Sequence, residues 1–195
     1  MNKIGYNVSR IGNHEFDYGL NALNECDKNL EYGYICANFC YRKNKTSIFP
    51  SYKIIEIGGK KIGFIGVTTP QILIETNLYN IVDEEGNMIY DFLGENEGKN
   101  LYDKIQEYID KIKLEGADYI IILDHLGSEG DDTSAKYTSS ILLSHISGID
   151  AMIDGHTHKV YILNINYIAM NKYILKNFFL LNIFIHNNLL NKINL

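Results

Sequence analysis

Basic charge is scarce in this chain. Its 18 lysines and arginines are outnumbered by 24 aspartates and glutamates, giving a formal net charge of −6. No basic stripe interrupts that balance, which argues against long-range capture of nucleic acid or of an anionic membrane. Cysteine is sparse too: Cys26, Cys36 and Cys40 are odd in number and lack any C-x-x-C spacing. A disulfide framework and a zinc knuckle are thereby excluded, leaving buried or incidental thiols. Met1 is followed by Asn2-Lys3-Ile4-Gly5, without the apolar run of a secretory leader. With 195 residues, 46% of them apolar, there is material for one domain with a sizeable core.

A second scarcity marks the end of the chain. From Val160 to Leu195 there is no Asp, Glu, Gly, Pro, Ser or Thr. Asn is the one usual turn residue left. A membrane span is disfavoured, because Lys176, Asn177 and Asn182 interrupt the apolar stretches before they reach ~20 residues. The residues that remain are those of A/T-rich codons. The expectation is therefore a domain over 1–159 and an atypical tail over 160–195, resembling A/T-rich DNA translated out of frame or past a disrupted end.

What is present centres on Gly12-Asn13-His14-Glu15-Phe16-Asp17-Tyr18-Gly19. Val8 and Ile11 suggest a short buried strand just before it. Ligand-type residues at the end of a buried strand mark an active-site loop in an α/β protein. Asn13 offers metal coordination, and His14 offers proton donation or charge stabilisation. Asp17, three residues on, can fix the imidazole's tautomer. The bland alternative is a helix start, with Asn13 as the cap and Glu15 and Asp17 facing its positive end.

Periodicity supplies the rest. An amphipathic helix is expected over Leu20–Leu30 and a strand over Tyr34–Asn38. Tyr52–Ile57 and Lys60–Val67 flank Gly58-Gly59 as a hairpin, ended by Thr68-Thr69-Pro70. Residues 71–96 are irregular and acidic, with an exposed turn over Asp83–Asn87. Leu101–Leu114 reads as a surface helix closed by Gly116. Tyr119–Leu123 is apolar throughout, as in a strand covered on both faces, with Asp124-His125-Leu126-Gly127 at its end. A helix over Thr133–Ser147 and a strand over Ile149–Ile153 lead into Asp154-Gly155-His156-Thr157-His158. The fold class is α/β. Of six histidines, His14, His125, His156 and His158 fall at strand ends, whereas His145 and His186 receive no role. Neutral imidazole is the commonest metal ligand, and His-x-His on an extended loop can present two rings to neighbouring ions.

Gly12–Gly19, Ile62–Thr68, Asp124–Gly127 and Ile149–His158 together resemble the 5′-nucleotidase branch of the calcineurin-like metallophosphoesterases, in order from about Gly5 to Lys159. The resemblance implies a β-sandwich flanked by helices, with two divalent ions (Zn, Mn, Co or similar) at the sheet ends. It implies that Asn13, His125 and His156 bind one ion and that His158 helps bind the other. His14, oriented by Asp17, would stabilise or protonate the departing oxygen, and the substrate would be a nucleotide or another phosphomonoester. Many such enzymes are exported or sit at the cell surface. No substrate-binding residue is assigned.

The departures are equally specific. The family's Asp-x-His and Gly-Asp motifs, which complete the first site and bridge both ions, do not occur ahead of Asn13. The base-holding carboxyl-terminal domain has no counterpart in these residues. The expectation is a sandwich incomplete at its amino-terminal side, holding at most one ion, with impaired activity. Asp124, where the family has a small residue, either adds a carboxylate near the metal or perturbs the site. The alternatives are a non-catalytic remnant or single-metal module, or an interaction module completed by strands from another chain.

Overall fold

The computed structural model describes residues 2–75, 82, 85–128, 135–158, 172–173 and 182–186. Its centre is a six-stranded mixed sheet. The hairpin opens it: β4 (Tyr52–Ile57) and β5 (Lys60–Thr68) pair antiparallel from Tyr52↔Ile65 to Ile57↔Lys60. Gly58 and Gly59 supply the turn with φ of +58° and +74°, the left-handed region that favours glycine. β5 continues parallel to β7 (Tyr119–His125), and β7 to β8 (Ala151–Asp154). The order across the sheet is β4-β5-β7-β8-β10-β9, where β9 is Lys172–Tyr173 and β10 is Asn182–His186, antiparallel to β8. These two strands are the described part of the 160–195 segment. Two short ladders complete the strands: β1 (Ser9–Arg10) with β2 (Tyr34–Ile35), and β3 (Cys40–Tyr41) with β6 (Tyr90–Asp91).

Helices connect the parallel strands. α1 is Gly19–Lys28, α2 is the short Ile72–Glu75, α3 is Lys99–Leu114 and α4 is Ser139–His145. α3 joins β5 to β7 in the chain, and its apolar spacing places Ile105, Ile109 and Ile112 fully inside. They pack with Ile65, Val67, Ile120 and Ile122 of the sheet in the larger core. Gly116 closes α3 at φ +84°, as its position in the sequence predicts. A second core gathers Ile11, Phe16, Leu23, Phe39, Phe49, Ile72 and Phe92. In it, Phe39 stacks on Phe92 at 4.9 Å and meets the edge of Phe16 at 5.1 Å. Cys36 and Cys40 are buried, Cys26 is exposed, and all three are free thiols.

Several elements differ in extent from the sequence reading, each for a tertiary reason. The strand expected over Tyr34–Asn38 stops at Ile35 as β2. Beyond it Cys36 N–H donates to Pro50 O, Ala37 N–H donates to Gly66 O, and the Asn38 side chain bonds Thr68 and Phe92. β7 runs two residues past Leu123, because Asp124 and His125 stay in register with Val67 and Thr68. α4 is shorter than Thr133–Ser147. Thr138 is extended (ψ 154°) and accepts from Ile141 N–H, and Ile146 is extended again (ψ 160°). The expected turn over Asp83–Asn87 lies partly outside the described residues. No helix among the described residues is long and apolar enough to cross a membrane. The main sheet and two small ladders make a mixed α/β fold. The carboxyl ends of β1, β5, β7 and β8 are where the chain delivers its ligand-type side chains.

Candidate active site

β1 delivers the first group. After Gly12 the chain makes a single 3-10 turn, His14–Phe16, and the fully buried Phe16 ring pins that turn to the second core. Asn13 precedes the turn but makes no side-chain capping bond, so the helix-cap reading of this residue is not realised. Its Oδ1 instead lies 2.8 Å from His125 Nε2, across 112 residues of sequence. Glu15 folds back so that its carboxylate accepts the Gly12 N–H at 2.6 Å. His14 Nδ1 lies 2.9 Å from Asp17 Oδ2, with 71% and 51% of these side chains exposed. Water therefore screens that pair heavily.

His125, at the end of β7, is the hub. Its ring centroid is 5.1 Å from that of His156 at a 60° interplanar angle. Its Nδ1 is buried without a hydrogen-bond partner. Burial first, then the Arg10 guanidinium and the neighbouring His156, His14 and His158, push the imidazole down to about 2, so it is neutral at any ordinary pH. Gly12 and Gly155 make this packing sterically feasible. A Cβ at Gly12 would sit 2.9 Å from His125 Nε2, and one at Gly155 would sit 3.1 Å from His125 Nδ1. His156, on the loop after β8, has its Nε2 3.3 Å from Gln71 Oε1. His156 and His158 adopt φ of +83° and +54°, a left-handed conformation costly for non-glycine residues. His158 is exposed and is near enough for its charge to act on His125.

Three contributors carry no role in the sequence reading. Arg10 sits half-buried behind the loop, its Nε donating to Asp124 O at 3.1 Å. Burial lowers its pKa, while Asp124, Glu15 and Asp154 oppose that shift. The signal was a lone cation two residues before Gly12. Gln71 had no signal beyond following Thr-Thr-Pro. Asp154, 1% exposed, accepts from Gly127 N–H and Gly155 N–H and from the Ser139 hydroxyl.

Asp124 is fully buried. Consecutive strand residues point to opposite faces, so Asp124 and His125 project from opposite sides of β7. Burial and the adjacent Asp154 raise the Asp124 carboxyl well above the usual range, favouring the protonated acid. It is thus turned away from the ring of His125: its Oδ1 accepts from Leu126 N–H at 3.2 Å, and its Oδ2 is buried without a hydrogen-bond partner.

The residues fit one divalent ion by donor chemistry. An amide oxygen and an imidazole nitrogen already approach each other, a second imidazole lies alongside, and one buried ring nitrogen lacks a partner. Among the described residues no group of three or more His, Cys, Asp or Glu converges to hold an ion. Asn13, His125 and His156 together offer one amide and two imidazoles, and no carboxylate.

Comparison with known proteins shows the family. The family model described as bacterial capsule synthesis protein PGA_cap matches residues 1–174. A 2′,3′-cyclic-nucleotide 2′-phosphodiesterase/3′-nucleotidase of Haemophilus influenzae is 30% identical over 178 residues, covering 83% of this chain and 24% of that protein. The crystal structure of the calcineurin-like phosphoesterase YfkN from Bacillus subtilis matches with a TM-score of 0.68 at 31% identity, over 84% of this chain and 48% of that one. A 5′-nucleotidase precursor from Thermus thermophilus matches with a TM-score of 0.59 at 25% identity, over 81% of this chain and 27% of that one. The chain spans about a quarter of the length of the curated relatives it matches. By sequence and by fold, the chain belongs to the 5′-nucleotidase branch of the calcineurin-like metallophosphoesterases.

Proposed function

We propose that this chain carries part of the active site of a metal-dependent phosphoester hydrolase of 5′-nucleotidase type, acting in nucleotide breakdown. The observation that carries the reading is the 2.8 Å approach of Asn13 Oδ1 to His125 Nε2, which joins two distant motifs at one point. Asn13, His125 and His156 would hold one divalent ion, with His158 beside them. When bound, such an ion supplies Lewis-acid polarisation of a phosphoryl oxygen. His14 and Asp17 would supply the proton chemistry: Asp17 accepts from Nδ1–H and favours the imidazolium, whose Nε2–H would pass its proton to the departing oxygen and leave a neutral ring. General acid assistance of this kind contributes about 10²–10⁴-fold. Phosphate ester hydrolysis draws on total enhancements of up to ~10²¹-fold, so the dyad alone is insufficient.

Neutral donors compensate a divalent charge poorly, and the buried carboxyls Asp124 and Asp154 accept from backbone N–H groups of the loops. This favours weak binding of one ion, with Zn²⁺, Mn²⁺ or Co²⁺ preferred over Mg²⁺ because imidazole is the softer donor. It also supports the second reading, a single-metal module without turnover of its own. The test is binding of inorganic phosphate to the Co²⁺-loaded chain, together with hydrolysis of AMP and p-nitrophenyl phosphate. Phosphate should bind and weaken in His14→Ala, while hydrolysis stays near the metal-only control. Phosphate binding indifferent to both Co²⁺ and His14 would remove the proposal. Metal-dependent turnover abolished by His14→Ala would overturn the single-ion account in favour of a complete catalyst.

A further inference from the structure

We propose that Asp154 is a positioning residue that holds His125 and His156 together as a donor pair by clamping the backbone of both loops. This rests on the reading of those two histidines as ion ligands. Asp154 Oδ1 accepts from Gly127 N–H at 3.0 Å and from Gly155 N–H at 2.7 Å. Gly127 lies two residues beyond His125, and Gly155 lies immediately before His156. One oxygen atom thus ties the two segments that carry the imidazoles.

The other oxygen anchors the clamp to α4. Asp154 Oδ2 lies 2.9 Å from the Ser139 hydroxyl, and Ser139 N–H donates to Gly127 O at 2.9 Å. Gly127 therefore gives its N–H to Asp154 and its carbonyl to Ser139, and so is held on both sides of its α-carbon. At 1% exposure for Asp154 and 0% for Ser139, water cannot substitute for these bonds. The loops are drawn as close as the side chains permit. A Cβ at Gly155 would stand 2.8 Å from an Arg10 Nη2 and 3.1 Å from His125 Nδ1. His156 then holds φ +83°, a conformation that persists only where neighbouring bonds over-determine it. The 5.1 Å spacing of the two rings follows from that draw-in.

The clamp needs an acceptor oxygen, not a negative charge, and this separates it from a purely electrostatic role. Asp154→Asn keeps an oxygen for the two glycine N–H groups, and its amide can face Ser139. Co²⁺ titration read by visible d–d absorption should give Asp154→Asn an affinity within about threefold of the parent and the same band. Asp154→Ala, with fold checked by circular dichroism, should lose about tenfold or more and change the band. Ser139→Ala, which leaves both glycine bonds, should stay within about threefold. Parental affinity in folded Asp154→Ala overturns the inference, as does a tenfold loss in Asp154→Asn. The latter decides the matter even if Asp154→Ala fails to fold. Failure of the underlying reading looks different: Co²⁺ binding to the parent would be unchanged by His125→Ala.

Discussion

Arg10 and His125 show how a single residue sets the behaviour of this site. A fixed guanidinium beside the neutral His125 ring would oppose the arrival of the proposed divalent ion, and burial would strengthen the opposition. Arg10→Met should therefore tighten Co²⁺ binding by about tenfold, measured by titration calorimetry, whereas a purely structural Arg10 would give weaker binding on removal. The same ring makes stability depend on pH. The folded pKa of His125 is depressed to about 2, below its unfolded value of 6.5. Between those values the unfolded chain binds a proton that the folded chain refuses, so stability is lost as pH falls below 6.5. Asp124 works in the opposite sense. Its folded pKa is raised above 3.8, so it contributes stability at low pH that is lost as pH rises through the window above 3.8. Urea unfolding from pH 7 to pH 4 should show a smaller acid-side loss in His125→Gln than in the parent. An unchanged slope would place the acid sensitivity elsewhere. The His14–Asp17 contact was legible in the sequence because one octapeptide carries both residues. Arg10, Gln71 and Asp154 were not, since each acts through a contact with residues far along the chain.

At the scale of elements, what was legible is what is locally encoded. The hairpin at 52–67 follows from β-branched arms around Gly58-Gly59, and α3 follows from isoleucines at helical spacing. Strand β2 and helix α4 came out shorter because other contacts take over at their ends. Cys36 and Ala37 turn to Pro50 and Gly66, and no local pattern announces such partners. β7 came out longer for the same kind of reason, held by β5 as far as His125. The extension fixes His125 on a rigid strand instead of a loop, which suits a hub residue. α3 is the main cover of the sheet that carries that hub. Ile109→Ala, at a fully buried position, should cost about 2–5 kcal/mol of stability in denaturant titration. A loss under about 0.5 kcal/mol, the range of ordinary surface substitutions, would show that α3 does not close this core.

At the scale of the molecule, four strand ends converge while their carboxylates do not. β1, β5, β7 and β8 bring Asn13, Gln71, His125 and His156 to one end of the fold, as open α/β sheets do with their ligand sites. Asp124 and Asp154 face inward and serve the loops. The family and the α/β class were legible because the four motifs keep their order along the chain. The inward turn of the carboxyls depends on strand facing and on Ser139, which only the folded chain displays. A site of neutral donors that holds one ion is therefore the expected outcome. The most direct measurement is the Zn²⁺ stoichiometry and affinity of the chain by isothermal titration calorimetry, repeated on His125→Ala. One weakly bound ion per chain, lost in the variant, is the predicted result. Two tightly bound ions per chain, or one whose affinity is untouched by His125→Ala, would contradict it.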